Sequence, residues 1–149
     1  AVIMILTAIA AGSYQSYIAR TQVAEGLSLI SAGKIDMVEY RASHGSWPAP
    51  VDRISKVEDD SPRLHGKYVE TIEHGANGAI NIVFAEDEYT SPSLRNQALT
   101  FRLATVAANP SGPIALTCGG GPLPPGFETR AADRTTIAAI DLPAFCRKR

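Results

Sequence analysis

The sequence predicts an α+β domain in which one long N-terminal α-helix packs on a four-stranded antiparallel sheet and a loop-rich tail ends the chain. Three observations carry this. Residues 1–42 contain no proline and keep helical apolar spacing. Residues 67–118 break into short segments of strand-like alternation or β-branched character, separated by turn residues. Residues 119–149 are loop-rich, with clustered Gly and Pro. Helix first and strands afterwards is the order of an α+β domain, not of an alternating parallel fold. At 149 residues the chain has the length of one domain with room for an appended segment, and 45% hydrophobic against 19% charged residues supply a core.

The helix has two characters. Residues 1–12, AVIMILTAIAAG, carry no charge, and the first ionisable side chain other than tyrosine is Arg20. That apolar run alone is shorter than the roughly 20 residues that span a bilayer. It fits three readings: the apolar region of a secretory signal with Ala8-Ile9-Ala10 as a small-residue cleavage site, a buried core helix, or the end of a longer apolar helix. From Tyr14 to Ala42 the pattern becomes amphipathic. Val23, Leu27 and Ile30 fall at helical spacing, Ile35 and Val38 continue the stripe, and Arg20, Gln22, Glu25, Asp36 and Glu39 sit mostly off it. Gly12, Gly26 and Gly33 each weaken a helix by roughly 1 kcal/mol against Ala. One helix of about 40 residues is roughly 60 Å long, more than a compact domain of this size can cover. Such a helix is half embedded in an apolar medium and half packed on a head.

His44-Gly45-Ser46-Trp47-Pro48-Ala49-Pro50 ends the helix, and residues 51–66 are polar and irregular. Lys67–His74 reads as the first strand, with Tyr68 and Ile72 on one face. Gly75-Ala76-Asn77-Gly78 suits a hairpin turn into Ala79–Phe84. Leu99–Val106 alternates cleanly, with Leu99, Phe101 and Leu103 on one face, and Ile114–Cys118 is a short fourth strand. The tail holds a possible helical or extended piece at 135–141.

Chemistry-bearing patterns are sparse. Lys+Arg total 14 and Asp+Glu 15, for a net charge of -1, which disfavours bulk electrostatic binding of nucleic acid. Two cysteines exclude a dense disulfide scaffold and a four-cysteine zinc site. His44, His65 and His74 share no metal spacing. Glu86-Asp87-Glu88 offers carboxylates to calcium, yet lacks the glycine turn and alternating Asp/Asn of a calcium loop, and reads better as a solvated loop. Gly119-Gly120-Gly121 runs into Pro122 and not into a helix with Lys-Ser/Thr, unlike a phosphate loop. Asp59-Asp60 and the terminal Arg147-Lys148-Arg149 read as solvated, although the basic cluster could touch DNA, lipid or an anionic surface. No nucleophile elbow or Cys/His nucleophile motif is present. No catalytic residue, cofactor or metal site is expected, and the chain does not read as an enzyme.

Ala8-Ile9-Ala10 followed by Tyr14-Gln15-Ser16-Tyr17-Ile18-Ala19-Arg20-Thr21-Gln22 resembles the first helix of Gram-negative type IV pilins of the type IVa class. In that family an apolar helix passes through Ala-Ile-Ala, usually a proline, then Tyr-Gln-x-Tyr and Ala-Arg-x-Gln. Lys67-Tyr68-Val69-Glu70-Thr71-Ile72 and Gly78-Ala79-Ile80 resemble the family's sheet-entry strands. Cys118 and Leu142-Pro143-Ala144-Phe145-Cys146-Arg147 resemble its disulfide region. The family's mature start, Phe or Met before Thr-Leu-Ile-Glu-Leu, has no counterpart, and Ala1 aligns about ten residues into the mature helix, so the chain is expected to begin inside it. Gly12 stands where proline is common and would still permit a bend; Leu116 stands where tryptophan is frequent.

The resemblance implies a pilin fold. Residues 1–22 would be the membrane and filament-core part of the helix, and 23–149 the head, with a loop at 43–66, the sheet at 67–118 and a disulfide region at 118–146. It implies a Cys118–Cys146 disulfide, consistent with export to an oxidising compartment. Val2, Ile3, Ile5, Leu6, Ile9, Gly12, Tyr14 and Tyr17 would form the filament-core helix surface. Implied partners are other pilin subunits in a helical filament, the inner membrane before assembly and the pilus assembly machinery, with DNA or a host surface as further possibilities. Adhesion, twitching motility and DNA uptake are the family's roles, and recognition is expected from the loop at 43–66 and the tail at 119–145. A minor pilin or a type II secretion pseudopilin shares the helix, though pseudopilins resembling the major subunit usually lack the tail disulfide. A secreted binding module with a signal-peptide remnant explains the cysteines but not the Tyr-Gln-x-Tyr helix.

Overall fold

The computed structural model describes residues 2–50 and 66–148. Helix α1 runs unbroken from Val2 to His44, straight through Gly12. It ends where Gly45 turns to φ 73° and its N–H donates to the Arg41 carbonyl (2.8 Å), the left-handed stop that glycine supplies without a Cβ clash. Arg41 and His44 in the last turn complement the helix dipole.

The sheet follows as β1 (Val69–His74), β2 (Ala79–Phe84), β3 (Ala98–Val106), β4 (Asn109–Cys118) and the two-residue β5 (Phe127–Glu128). The order β1-β2-β3-β4 is antiparallel throughout, and β5 pairs with the far end of β3. Ile82 lies opposite Leu99, Ile80 opposite Phe101, and Phe101 opposite Cys118. These residues, with Phe84 and Leu103, turn one face towards α1 and are all buried. The opposite face is closed by the tail. Thr100 Oγ1 donates to Asn81 Oδ1 (2.7 Å) and accepts from the Arg134 N–H (3.0 Å), while Ala98 and Thr136 exchange two hydrogen bonds.

Several expectations shift. In β1 the register slips between Val69 and Thr71, so Val69 turns inwards together with Ile72, while Tyr68, just ahead of the strand, packs partly against the same core. Strand β4 begins at Asn109, five residues before the expected start, because Val106 pairs with Asn109 across Ala107-Ala108. Its Pro110 and Pro113 hide it from sequence reading; they are tolerated because β4 pairs only with β3 among the described strands. The piece at 135–141 is a 3-10 turn at Ala139–Asp141, and a second closes at Ala144–Cys146.

The helix stripe is also rotated from the expected one. Its buried positions are Ala19, Val23, Gly26, Ile30, Gly33 and Met37, alternating four and three apart, with the polar Gln22 buried beside them. Leu27 is only partly buried and Ile35 is 58% exposed. Gly26 sits where a Cβ would drive into the Ile82 side chain, with Phe84 and Val69 in ordinary contact beside it, so the residue that weakens the helix locally is the one that lets β2 approach it.

Candidate assembly interface

The projecting half of α1 is the first component. Val2, Ile3, Ile5, Leu6 and Ile9 are 61–76% exposed, Gly12 faces open space, and Tyr14 and Tyr17 are exposed. Composition and length make the helix compatible with crossing a membrane, since neutral Ser13, Tyr14 and Gln15 extend the uncharged run beyond residue 12. The two hydroxyls between Val2 and Ser13 are internally satisfied: Thr7 donates to the Ile3 carbonyl (2.9 Å) and Ser13 to that of Ile9 (3.3 Å). Up to Ser13 the segment therefore offers an apolar medium almost no unpaired polar group, and the polar side chains of Tyr14, Gln15 and Tyr17 come only after it. A patch of this kind, uncovered, is far larger than a soluble monomer tolerates.

Burial begins at Ala19, and the next turn clamps the helix to the head. Gln22, placed off the apolar stripe from its polarity, is 4% exposed. Its Nε2 donates to the Tyr89 carbonyl (3.0 Å) and its Oε1 accepts from the Ser91 N–H (2.8 Å). One turn later Glu25, also placed off the stripe, accepts from the Lys67 and Tyr68 N–H groups that lead into β1. At the other end Arg41 donates to the Pro110 carbonyl (2.9 Å) and lies over the Trp47 ring at 4.4 Å. The motif Ala19-Arg20-Thr21-Gln22 signalled kinship in the sequence; its structural work is this junction.

Cys118 and Cys146 are joined, closing the tail onto the end of β4. The Gly119–Gly121 run is packing and not a ligand cradle. Gly119 has φ 52° beside the Cys146 carbonyl, and a Cβ on Gly121 would collide with the Phe145 and Cys118 carbonyls. Arg147 Nε donates to the Leu142 carbonyl (2.9 Å), holding the terminal turn in place. Leu116, at the family's tryptophan position, packs partly against the core.

The remaining candidates are dispersed. His44 stacks on Tyr40 at 4.0 Å, and His74 lies in β1, where burial lowers its pKa and the Asp36 charge partly opposes that. Asp87 Oδ1 accepts from the Tyr89 and Thr90 N–H groups, and Glu86 accepts from Asn96, so this acidic run shapes its own loop. Among the described residues no group of three His, Cys, Asp or Glu is placed to hold a metal. His65, Asp59-Asp60, Arg149 and most of the 43–66 loop lie outside the described residues.

Residues 19–147 match the pilin family, described as bacterial filament. The chain is 32% identical to a fimbrial protein of Neisseria meningitidis serogroup B over 156 residues, covering 99% of this chain and 86% of that one. It is 30% identical to the type IV major pilin protein PilE1 of Neisseria gonorrhoeae, with the same 99% and 86% coverage. A fimbrial protein EcpC of Eikenella corrodens is 32% identical over 107 residues, 72% of this chain and 67% of that one. The long helix, the antiparallel sheet and the Cys118–Cys146 bridge agree with these likenesses, and the chain belongs to the pilin family, the structural subunits of bacterial filaments.

Proposed function

We propose that this chain is a subunit of a type IV pilus on a Gram-negative cell, held in the inner membrane by the part of residues 1–22 that its own head leaves exposed, and buried by the same surface in the filament afterwards. The observation that carries the reading is the projecting half of α1, uncharged up to Arg20 and left bare by its own head. Burying each large side chain among Val2, Ile3, Ile5, Leu6 and Ile9 contributes about 1.5–3 kcal/mol relative to water. The gain relative to lipid is much smaller, so extraction into a filament requires energy-driven assembly machinery. Gly12, Tyr14 and Tyr17 continue this surface towards the head. The finished filament would support adhesion, twitching motility or DNA uptake.

The test is a chain beginning at Ser16, three residues ahead of the first buried position. It is expected to be soluble, monomeric and cooperatively folded with its disulfide intact, and absent from filaments in cells. An unfolded fragment, or one that still polymerises, would refute the division of labour between helix and head.

A further inference from the structure

The head carries a concave site at the far end of α1. A pocket of about 740 Å³ is lined from the last turn of α1, the segment after it, the turn before β2, the end of β3 and the segment after β5. Arg41, Trp47, Pro48, Asn77, Thr105 and Arg130 lie on its wall, and it continues the α1-facing side of β3 beyond the buried Leu103. At 1.5 Å per residue Arg41 stands about 36 Å along α1 from Tyr17, well away from the projecting half of the helix. Contacts between distant segments hold the wall in shape. The Arg41 guanidinium is fixed by its bond to the Pro110 carbonyl (2.9 Å) and by the Trp47 ring beneath it at 4.4 Å, which orients its planar fork. Trp47 is seated against Gly78, whose φ is 86° and where a Cβ would come within 2.9 Å of the indole. Thr129 Oγ1 donates to the Leu103 carbonyl (2.8 Å) and anchors the segment that carries the exposed Arg130.

We propose that this pocket binds an acidic saccharide, a short chain of uronic-acid units. Three features select that chemistry. The first is charge: the described lining carries two guanidinium groups against one carboxylate, Glu128, and a guanidinium fork matches a carboxylate through two parallel hydrogen bonds. The carbonyls at the C-terminus of α1 would by themselves repel an anion; Arg41 in the last turn offsets them and leaves Arg130 in excess. The second is shape: Trp47 and Pro48 give a stiff apolar wall for the C–H face of a pyranose ring, and the volume falls within the roughly 300–1,000 Å³ of small-ligand sites. The third is neutral polarity: the Asn77 amide and the Thr105 hydroxyl both donate and accept, and Glu128 accepts, as sugar hydroxyls require. A bare phosphate or carboxylate would leave the apolar wall and these neutral groups idle, and a neutral sugar would leave the guanidinium groups without an anion. One subunit carries the whole described lining, so the site does not depend on filament assembly.

The chain has one tryptophan and it lines the pocket, so its fluorescence reports occupancy. The full-length chain in detergent micelles is titrated with digalacturonate and with the neutral digalactose at matched ionic strength, followed by Trp47 emission and by calorimetry. Digalacturonate is expected to shift the emission saturably, and digalactose to bind at least tenfold more weakly. Arg130→Gln, at an exposed position, is expected to weaken digalacturonate binding at least tenfold with the circular dichroism and the disulfide unchanged. Arg130→Lys is expected to weaken it less, because a point charge replaces the fork. Equal affinity for the two sugars, wild-type affinity in Arg130→Gln, or no saturable binding up to the solubility limit of digalacturonate would each overturn the proposal. Displacement of the sugar by equimolar inorganic phosphate would overturn it by revealing a bare anion site. Calorimetric binding with unchanged Trp47 emission would overturn it by placing the sugar elsewhere.

Discussion

Replacing Gln22 with Ala tests whether the helix–head junction depends on one buried amide. The substitution removes two hydrogen bonds and leaves the Ser91 N–H and the Tyr89 carbonyl without their partner. The Ser91 bond is buried, so its orphaned donor carries the full desolvation cost of about 1–3 kcal/mol. The bond to Tyr89 is only partly buried, so water recovers some of that loss, and about 0.5–1.5 kcal/mol is a fair share. The sum, about 2–4 kcal/mol, is a large fraction of a domain's stability. In detergent micelles, with a urea slope near 2 kcal/mol/M, the unfolding midpoint should fall by about 1–2 M. Gln22→Glu sharpens the test. A carboxylate still accepts from Ser91 but opposes the Tyr89 carbonyl, whereas a protonated carboxyl donates to it. Its folded pKa is therefore raised, and the variant should be more stable at acid pH and lose that advantage as pH rises from about 4.3, the free glutamate value. A Gln22→Ala midpoint within about 0.3 M of wild type, or a Gln22→Glu variant with no such pH response, would refute the assignment of the junction to this amide.

Three further outcomes follow from the geometry. Reducing the Cys118–Cys146 bridge, whose sequence separation is 28, should cost about 3–4 kcal/mol on the loop-entropy account, and the unfolded, unreduced chain should show no titratable thiol. Gly121→Ala should destabilise strongly, by more than about 2 kcal/mol, because its Cβ meets two backbone carbonyls. Gly12→Ala meets nothing and should stiffen α1 by about 1 kcal/mol, and comparing melting temperatures of the two variants checks the contrast. Because burial depresses the pKa of His74, protonation favours the unfolded chain. Stability should therefore be full above pH 6.5 and decline below it, and His74→Gln should flatten that part of the pH–stability profile.

The length of α1 and the existence of four strands were legible in the residues, because each rests on short-range pattern or on chain order, and the bridging of the two cysteines followed from the family resemblance. Absence of proline across 1–42 and the Gly45 stop describe a helix whatever it packs on. The phase of that helix was not legible. Val23, Leu27, Ile30, Ile35 and Val38 form a plausible stripe, yet the sheet lies against Ala19, Val23, Gly26, Ile30 and Met37. Helix propensity scores Gly26 as a weakness, while its missing Cβ is what admits Ile82. Gln22 reads as a surface residue because its partners are 67 and 69 residues away, and the Gly119–Gly121 run shows its purpose only when Phe145 and Cys146 return beside it. Periodicity is a relation among neighbours along the chain and decides which elements form. Which face of each is buried, and which polar groups can be buried with it, is decided by segments far away in sequence, and so only by the tertiary structure.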